Sequence, residues 1–330
     1  MLLSLFWNPR ERRVRLLVRL IGQMVIFGLL LTAMIIGGGL VAGSVIATGS
    51  LPLPTTASET PGFMAMVTVA TLAATLASLW VAGRLFDRRP MAGFGFHLGR
   101  RWWYDLAFGL ALGAGLMTGI FLLELAAGWV TVRGMWQTAQ AGQPFLTAMV
   151  WPVVLFLCVG VYEEALSRGY LLRNLSEGLN FGRVGRRGAI VLAWIISSVV
   201  FGALHAGNPN STLVSTVNLM IAGLFLGLAT VLTGELAIPI GVHITWNLFQ
   251  GNVYGFPVSG GNFAQTTVFA IVQSGPDWLT GGAFGPEAGV LGLMATLIGM
   301  GLIAVWVRRR GPLAFDAALG LPPTLTGDGD

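Results

Sequence analysis

Residues 162–170 read YEEALSRGY and follow a run, 144–161, that carries no charge. Two adjacent carboxylates, Glu163 and Glu164, and the guanidinium of Arg168 therefore stand where hydration is hard to keep. On a helix, neighbouring residues point about 100° apart, so the two glutamates cannot do the same job. Arg168 lies four residues after Glu164 and five after Glu163, which makes Glu164 the better ion-pair partner and leaves Glu163 free. A carboxylate in an apolar cavity holds its proton more tightly, the condition for a general base or acid working near neutral pH. The chain has 3 histidines. Two of them fall in apolar stretches: His205 in VVFGALHAGNPNS, one turn after Phe201, and His243 in IGVHITWNLFQGN, with Asn247 four residues on and on the same helix face. A carboxylate, two imidazoles and a carboxamide can activate a water and steady the oxyanion of a tetrahedral intermediate, which is the chemistry of hydrolysis. The same residues also suit a charged triad that anchors a helix near the interface, with satisfied core histidines, and both readings stand at this point.

The elements that must position these groups are membrane helices. Of 330 residues, 55% are hydrophobic and 10% charged, with a mean hydropathy of +0.76, far from the roughly 25% charge of a soluble domain. A span needs about 20 apolar residues. Eight candidates lie at 20–47, 63–83, 105–128, 145–166, 188–206, 213–233, 237–251 and 288–307, the seventh short and interrupted by Pro239. The fold class expected is an all-α polytopic transmembrane bundle of about eight spans enclosing a polar catalytic cavity. Its domains are a cytoplasmic N-terminal segment at 1–19, a membrane domain at 20–310 with its motif core at 144–251, and a disordered C-terminal tail at 311–330. In GLALGAGLMTG, Gly109, Gly113, Gly115 and Gly119 recur at helix-packing spacing. The single cysteine, Cys158, excludes an internal disulfide.

All 19 basic residues are arginines, and they cluster between spans, which marks topology and not nucleic-acid binding. The clusters are Arg10, Arg12, Arg13 and Arg15; Arg84, Arg88, Arg89, Arg100 and Arg101; Arg183, Arg186 and Arg187; and Arg308, Arg309 and Arg310. With eight spans all four fall on one side, while the opposite loops 48–62, 129–143 and 252–287 hold only Arg133. An integral, multi-pass protein with both termini cytoplasmic follows. Ionisable residues inside spans cost roughly 2.5–3.5 kcal/mol each on insertion scales, so each invites a functional question. Glu124 is expected either to face the cavity as an extra partner for Arg168 or to pack as a neutral carboxyl. Asp105 is expected to be solvated, and His97 to belong to an interfacial belt of arginine and aromatic residues. The loop 252–287, rich in Gly, Ser and Asn, reads as a mobile cap or a linker. At a rise of 1.5 Å per residue, His205 lies ~25 Å along its span and His243 only ~10 Å into its own. Their meeting requires recessed or broken helix ends near Pro209 and Pro239, and a cavity whose mouth is expected on the cytoplasmic side.

Three separated motifs, EEALSR (163–168), FGALH (201–205) and HITWN (243–247), resemble the EExxxR, FxxxH and HxxxN signatures of the CPBP (Abi) family of intramembrane proteases, which includes type II CAAX prenyl endopeptidases and bacteriocin-processing enzymes. The motifs cover about a quarter of the chain in the family's order. The resemblance implies Glu163 as the base that activates water with His205 assisting, His243 and Asn247 as the oxyanion site, and Glu164 and Arg168 as supporting residues. It implies an intramembrane endopeptidase cutting at or near the bilayer surface, acting on a hydrophobic or lipidated peptide or protein among membrane lipids. Two histidines and a carboxylate, Glu163, His205 and His243, would suffice for one zinc with an open position. A metal-free glutamate–histidine scheme uses the same residues, so the cofactor is none or one Zn. A non-catalytic membrane scaffold or a small-solute or proton-coupled carrier would use the same buried charges differently, although no inverted repeat is evident.

Overall fold

The computed structural model describes residues 6–9, 11–47, 61–138 and 142–323. Arg10, most of the 48–62 loop and the end of the tail, 324–330, lie outside them. The helices are α1 (Leu16–Ala47), α2 (Pro61–Ala82), α3 (Arg100–Ala126), α4 (Phe145–Glu164), α5 (Arg173–Gly178), α6 (Gly185–Leu204), α7 (Leu213–Thr233), α8 (Ala237–Leu248), the short α9 (Asp277–Thr280) and α10 (Val290–Arg308). A π-helical stretch, Ala165–Leu172, joins α4 to α5, and a second, Phe249–Val253, extends α8. Two antiparallel ribbons accompany the helices: β1 (Trp7–Asn8) with β2 (Arg13–Val14), and β3 (Val130–Gln137) with β4 (Thr267–Gln273), the latter bulged between Val132 and Gly134. The chain is an all-α polytopic bundle and an integral multi-pass membrane protein.

Among the described residues seven helices, not eight, are long and apolar enough to span a membrane. The exception is α8, with 12 residues. Residues 237–243 are all buried, enclosed chiefly by α3, α4 and α7. A helix that does not face lipid need not match the bilayer, and with its π extension it still covers ~25 Å of axial rise. Pro239 does not interrupt it. The proline sits in the first turn, where its missing N–H has no intrahelical acceptor to lose. Gly234, at φ +71°, ends α7 in a left-handed turn that lets the chain reverse into α8 within three residues.

Glycines set how closely α8 is gripped. A Cβ on Gly109 would lie 2.4 Å from the Ile238 carbonyl oxygen, and one on Gly113 2.5 Å from that of Val242. Gly241 answers from α8, where a Cβ would meet the Leu106 carbonyl oxygen at 2.5 Å, and Thr245 Oγ1 donates to the Leu110 carbonyl at 2.8 Å. On the other side Gly160 of α4 leaves room for Ile244. Gly115 and Gly119, by contrast, meet nothing within 4 Å. Gly113→Leu should therefore force α3 and α8 apart at a cost of about 1–3 kcal/mol or more, read as a lower melting temperature in detergent. Gly119→Leu should leave the melt unchanged.

Several described arginines of these clusters are buried in ion pairs and do not form a solvated fringe. Arg13 and Arg19 donate to Glu177 at 2.7 and 3.0 Å, Arg89 also pairs with Glu177, and Arg19 reaches Asp87 at 3.3 Å. Arg13, Arg19 and Arg89 are buried. Asp105 is buried rather than solvated, because it pairs with Arg310 and accepts from Trp306 Nε1 at 2.8 Å. His97 is exposed, as a belt residue should be, and pairs with Glu235 at 2.6 Å. The N-terminal segment is docked through β2 and its helix begins at Leu16, ahead of residue 20. The tail expected to be disordered is partly docked: Leu319 is fully buried, the Asp316 amide donates to the Val231 carbonyl, and Asn180 Nδ2 donates to that of Gly320.

Candidate active site

Glu164, Arg168 and His243 form a buried chain. Arg168 NH1 donates to Glu164 Oε1 at 2.9 Å, and both side chains are fully buried. His243 Nδ1 meets the same oxygen at 2.8 Å. A carboxylate only accepts, so Nδ1 carries the proton and Nε2 is the nitrogen free for chemistry. That Nε2 lies 3.8 Å from Glu163 Oε2. The two glutamates thus take opposite sides of one imidazole, as their 100° separation allows. Arg168 falls within the π-helical stretch that begins after Glu164. Its second nitrogen donates to the Gly223 carbonyl of α7 at 3.1 Å, and its guanidinium carbon lies 4.3 Å above the Phe201 ring.

Phe201 links the three motifs. Besides covering Arg168, its ring sits 4.8 Å from the His205 ring and 6.2 Å, edge-on, from that of His243. Its carbonyl accepts from His205 Nδ1 at 2.8 Å, which again leaves Nε2 open. The i to i+4 spacing of FGALH is what lets one phenylalanine hold a histidine by its backbone and an arginine by its face.

Glu163, His205, His243 and Asn247 all line one cavity of about 430 Å³. Its depth resolves the difference in height between the histidines. His205 caps the end of α6, whereas His243 is the seventh residue of α8. The cavity runs from Glu163 and Val242 to Ser259 and Glu287, spanning both levels. Its lining comes from the start of α2 (Met64–Thr71), the end of α4 (Leu155–Glu163), the end of α6, the first half of α7, α8 (Val242–Asn247) and the loop before α10. Near the start of α8 the α7–α8 turn is held by Arg173, which donates to the Gly234 carbonyl at 2.9 Å.

Several polar residues of the site were not singled out in the sequence. Glu287, nearly buried, accepts from Gln250 Nε2 at 2.5 Å and from the Ser259 amide at 3.0 Å. Burial pushes its carboxyl up to about 7, against the pull of those hydrogen bonds. Asn208 Nδ2 donates to the Ser259 carbonyl at 2.9 Å, so the cap over 254–289 is tied to the loop that carries His205. This stretch is a folded cap holding β4, not a linker. Asn218 of α7 also lines the cavity. No signal short of a full fold would have found these, because each is an ordinary polar residue near a helix end. Glu124 does not partner Arg168; it is fully buried and accepts from Gln273 Nε2 of β4 at 2.8 Å.

Among the described residues no group of three or more His, Cys, Asp and Glu side chains is gathered so as to hold a metal ion. Glu163, His205 and His243, named as possible zinc ligands, do not form such a group in this arrangement.

The cavity thus carries a carboxylate, two imidazoles and a carboxamide on an otherwise largely apolar wall. The family model described as type II CAAX prenyl endopeptidase Rce1-like matches residues 145–249. This segment, about a third of the chain, carries all three motifs and is similar to that family of membrane proteases. No curated protein and no solved structure matches the chain.

Proposed function

We propose that the protein is an intramembrane endopeptidase that hydrolyses a peptide bond in a hydrophobic or lipidated segment, using water activated by Glu163. The observation that carries this reading is the 3.8 Å approach of Glu163 Oε2 to His243 Nε2 at the wall of the cavity. A water at ordinary hydrogen-bond distance, about 2.8 Å, can reach both atoms. Glu163 takes its proton, the hydroxide adds to the substrate carbonyl carbon, and Glu163 returns the proton to the departing nitrogen as the C–N bond breaks. His243 in its protonated form donates from Nδ1 to Glu164 and offers Nε2–H to the oxyanion, with the Asn247 carboxamide as second donor. His205, held through Nδ1, presents Nε2 to assist. No step in this scheme passes through a metal. Purified protein in vesicles should cleave a prenylated or hydrophobic reporter peptide, with mass spectrometry identifying two products, and should keep doing so after a strong zinc chelator. Activity lost to the chelator and restored by zinc would replace this scheme with a metal-assisted one. An intact reporter, with solute movement instead, would favour the carrier reading.

The arginine end is assigned to the cytoplasm, since Lys/Arg-rich ends stay inside. Cys158 is buried, so introduced thiols report orientation: a membrane-impermeant maleimide should label Trp278→Cys on intact cells, and Arg309→Cys only after permeabilisation. The reverse pattern overturns the assignment.

A further inference from the structure

Helix α7 brings to the cavity a polar group that none of the three motifs contains, and its use rests on the protease reading above. Asn218, Ala222 and Phe225 fall at i, i+4 and i+7, on one face of the helix, and all three line the cavity. The rest of that face is apolar, and the Phe225 ring lies 6.4 Å from the Trp246 ring of α8. Asn218 is half-buried, and its carboxamide hydrogen-bonds to no other described residue. Thr296 of α10 repeats the arrangement: it is buried, lines the same cavity, and its hydroxyl has no hydrogen-bond partner among the described residues. The two helices are neighbours, since a Cβ on Gly299 of α10 would meet the Phe225 ring at 2.6 Å.

The fold gives neither group a task. A threonine inside a helix commonly returns its hydroxyl to the carbonyl four residues back. Thr68 and Thr71 on the α2 side of the cavity do so, toward Met64 and Val67 at 2.7 and 2.8 Å. Asn208 of the same wall is tied to Ser259. Asn218 and Thr296 cap no helix and join no ion pair, and neither side chain titrates, so they serve as neither acid nor base. What remains to them is a hydrogen bond to whatever fills the cavity. An apolar segment entering it expels water, and a polar group left unpaired there is penalised. The groups of such a segment that can replace water are its backbone N–H and C=O, which themselves need partners at membrane depth. A carboxamide and a hydroxyl each offer both a donor and an acceptor.

We infer that Asn218 and Thr296 form a substrate-holding subsite on the α7–α10 wall, where they hydrogen-bond the main chain of the bound peptide and take no part in the bond-breaking step. Thr296 falls beyond the 145–249 segment that the family model matches, so part of this subsite comes from the remainder of the chain.

The test uses the full-length protein in phosphatidylcholine vesicles with an apolar reporter peptide. Asn218→Leu should raise KM about tenfold, the size of one unmade hydrogen bond in a site without water. Its kcat should stay within a few-fold, because a main-chain contact away from the cleaved bond persists through the reaction. Its melting temperature should equal or exceed that of the wild type, since leucine has similar volume and no carboxamide to desolvate. Thr296→Val should act in the same direction to a smaller degree, and Asn218→Gln, which keeps the carboxamide, should recover part of the loss. Reporters with one backbone amide at a time replaced by an ester locate the contact: the ester that most raises KM for the wild type should have no further effect on Asn218→Leu. Wild-type KM in both Asn218→Leu and Thr296→Val, or ester effects that persist undiminished in Asn218→Leu, overturns the inference and leaves the protease reading intact. A lowered melting temperature with unchanged KM does the same, as the mark of a purely structural role. A reporter left uncut by the wild type, or cut equally by Glu163→Ala, overturns the protease reading itself and takes the inference with it.

Discussion

Glu163→Gln is expected to lower peptide hydrolysis by about 10²–10⁴-fold, the range for loss of a positioned general base, while the protein melts as the wild type does. The Glu163 carboxylate lies on the cavity wall with 22% of its side chain exposed, and among the described residues its ion-pair contact is the 3.8 Å approach to His243. It therefore holds little of the core together. Glutamine preserves its volume and one acceptor but cannot take a proton from water. kcat should carry most of the loss, since the apolar walls that bind substrate are untouched, and KM should stay within a few-fold. Turnover by Glu163→Gln at the wild-type rate would remove this residue from the chemistry. Normal kcat with a raised KM would instead make it a substrate contact.

Arg168→Met is expected to act on the fold first. The substitution leaves the Glu164 carboxylate buried with only His243 beside it, takes the donor from the Gly223 carbonyl and uncovers the Phe201 face. Breaking a buried pair from one side costs about 3–5 kcal/mol, a large part of the stability of an ordinary domain. Low yield and a melting temperature lowered by many degrees should result. The double replacement Glu164→Gln with Arg168→Met removes both charges and should recover much of that stability, because two neutral groups no longer demand hydration. It should not recover activity, since His243 loses the carboxylate that fixes its ring. A single variant as stable as wild type, or a double variant no better than the single, would show that the pair does not hold α4 to α7 and α8.

Much of the architecture was legible in local sequence, for a physical reason. A backbone in lipid must satisfy its own hydrogen bonds, so apolar runs of sufficient length become helices whatever packs beside them. The i, i+4 relations survived for the same reason: Glu164–Arg168 and Phe201–His205 are both made within single helical segments. The glycine row was only half informative. Gly109 and Gly113 seat α8, while Gly115 and Gly119 face open space, and a four-residue spacing cannot tell which half of a helix will meet a partner. Composition also misjudged α8, since an enclosed helix is released from the length a lipid-facing one must have.

The sequence by itself determined a polytopic helical protein, the segregation of its arginines to one end and the three motifs that mark a membrane protease family, because hydropathy, charge bias and helical spacing are properties of neighbours along the chain. Only the tertiary structure decided that His243 is the imidazole set against both glutamates, that Phe201 ties the motifs together and that Glu287 joins the wall. Those are relations between residues far apart along the chain. They depend on how closely glycine faces let helices approach and on where buried charges find partners, and no periodicity along the chain records either.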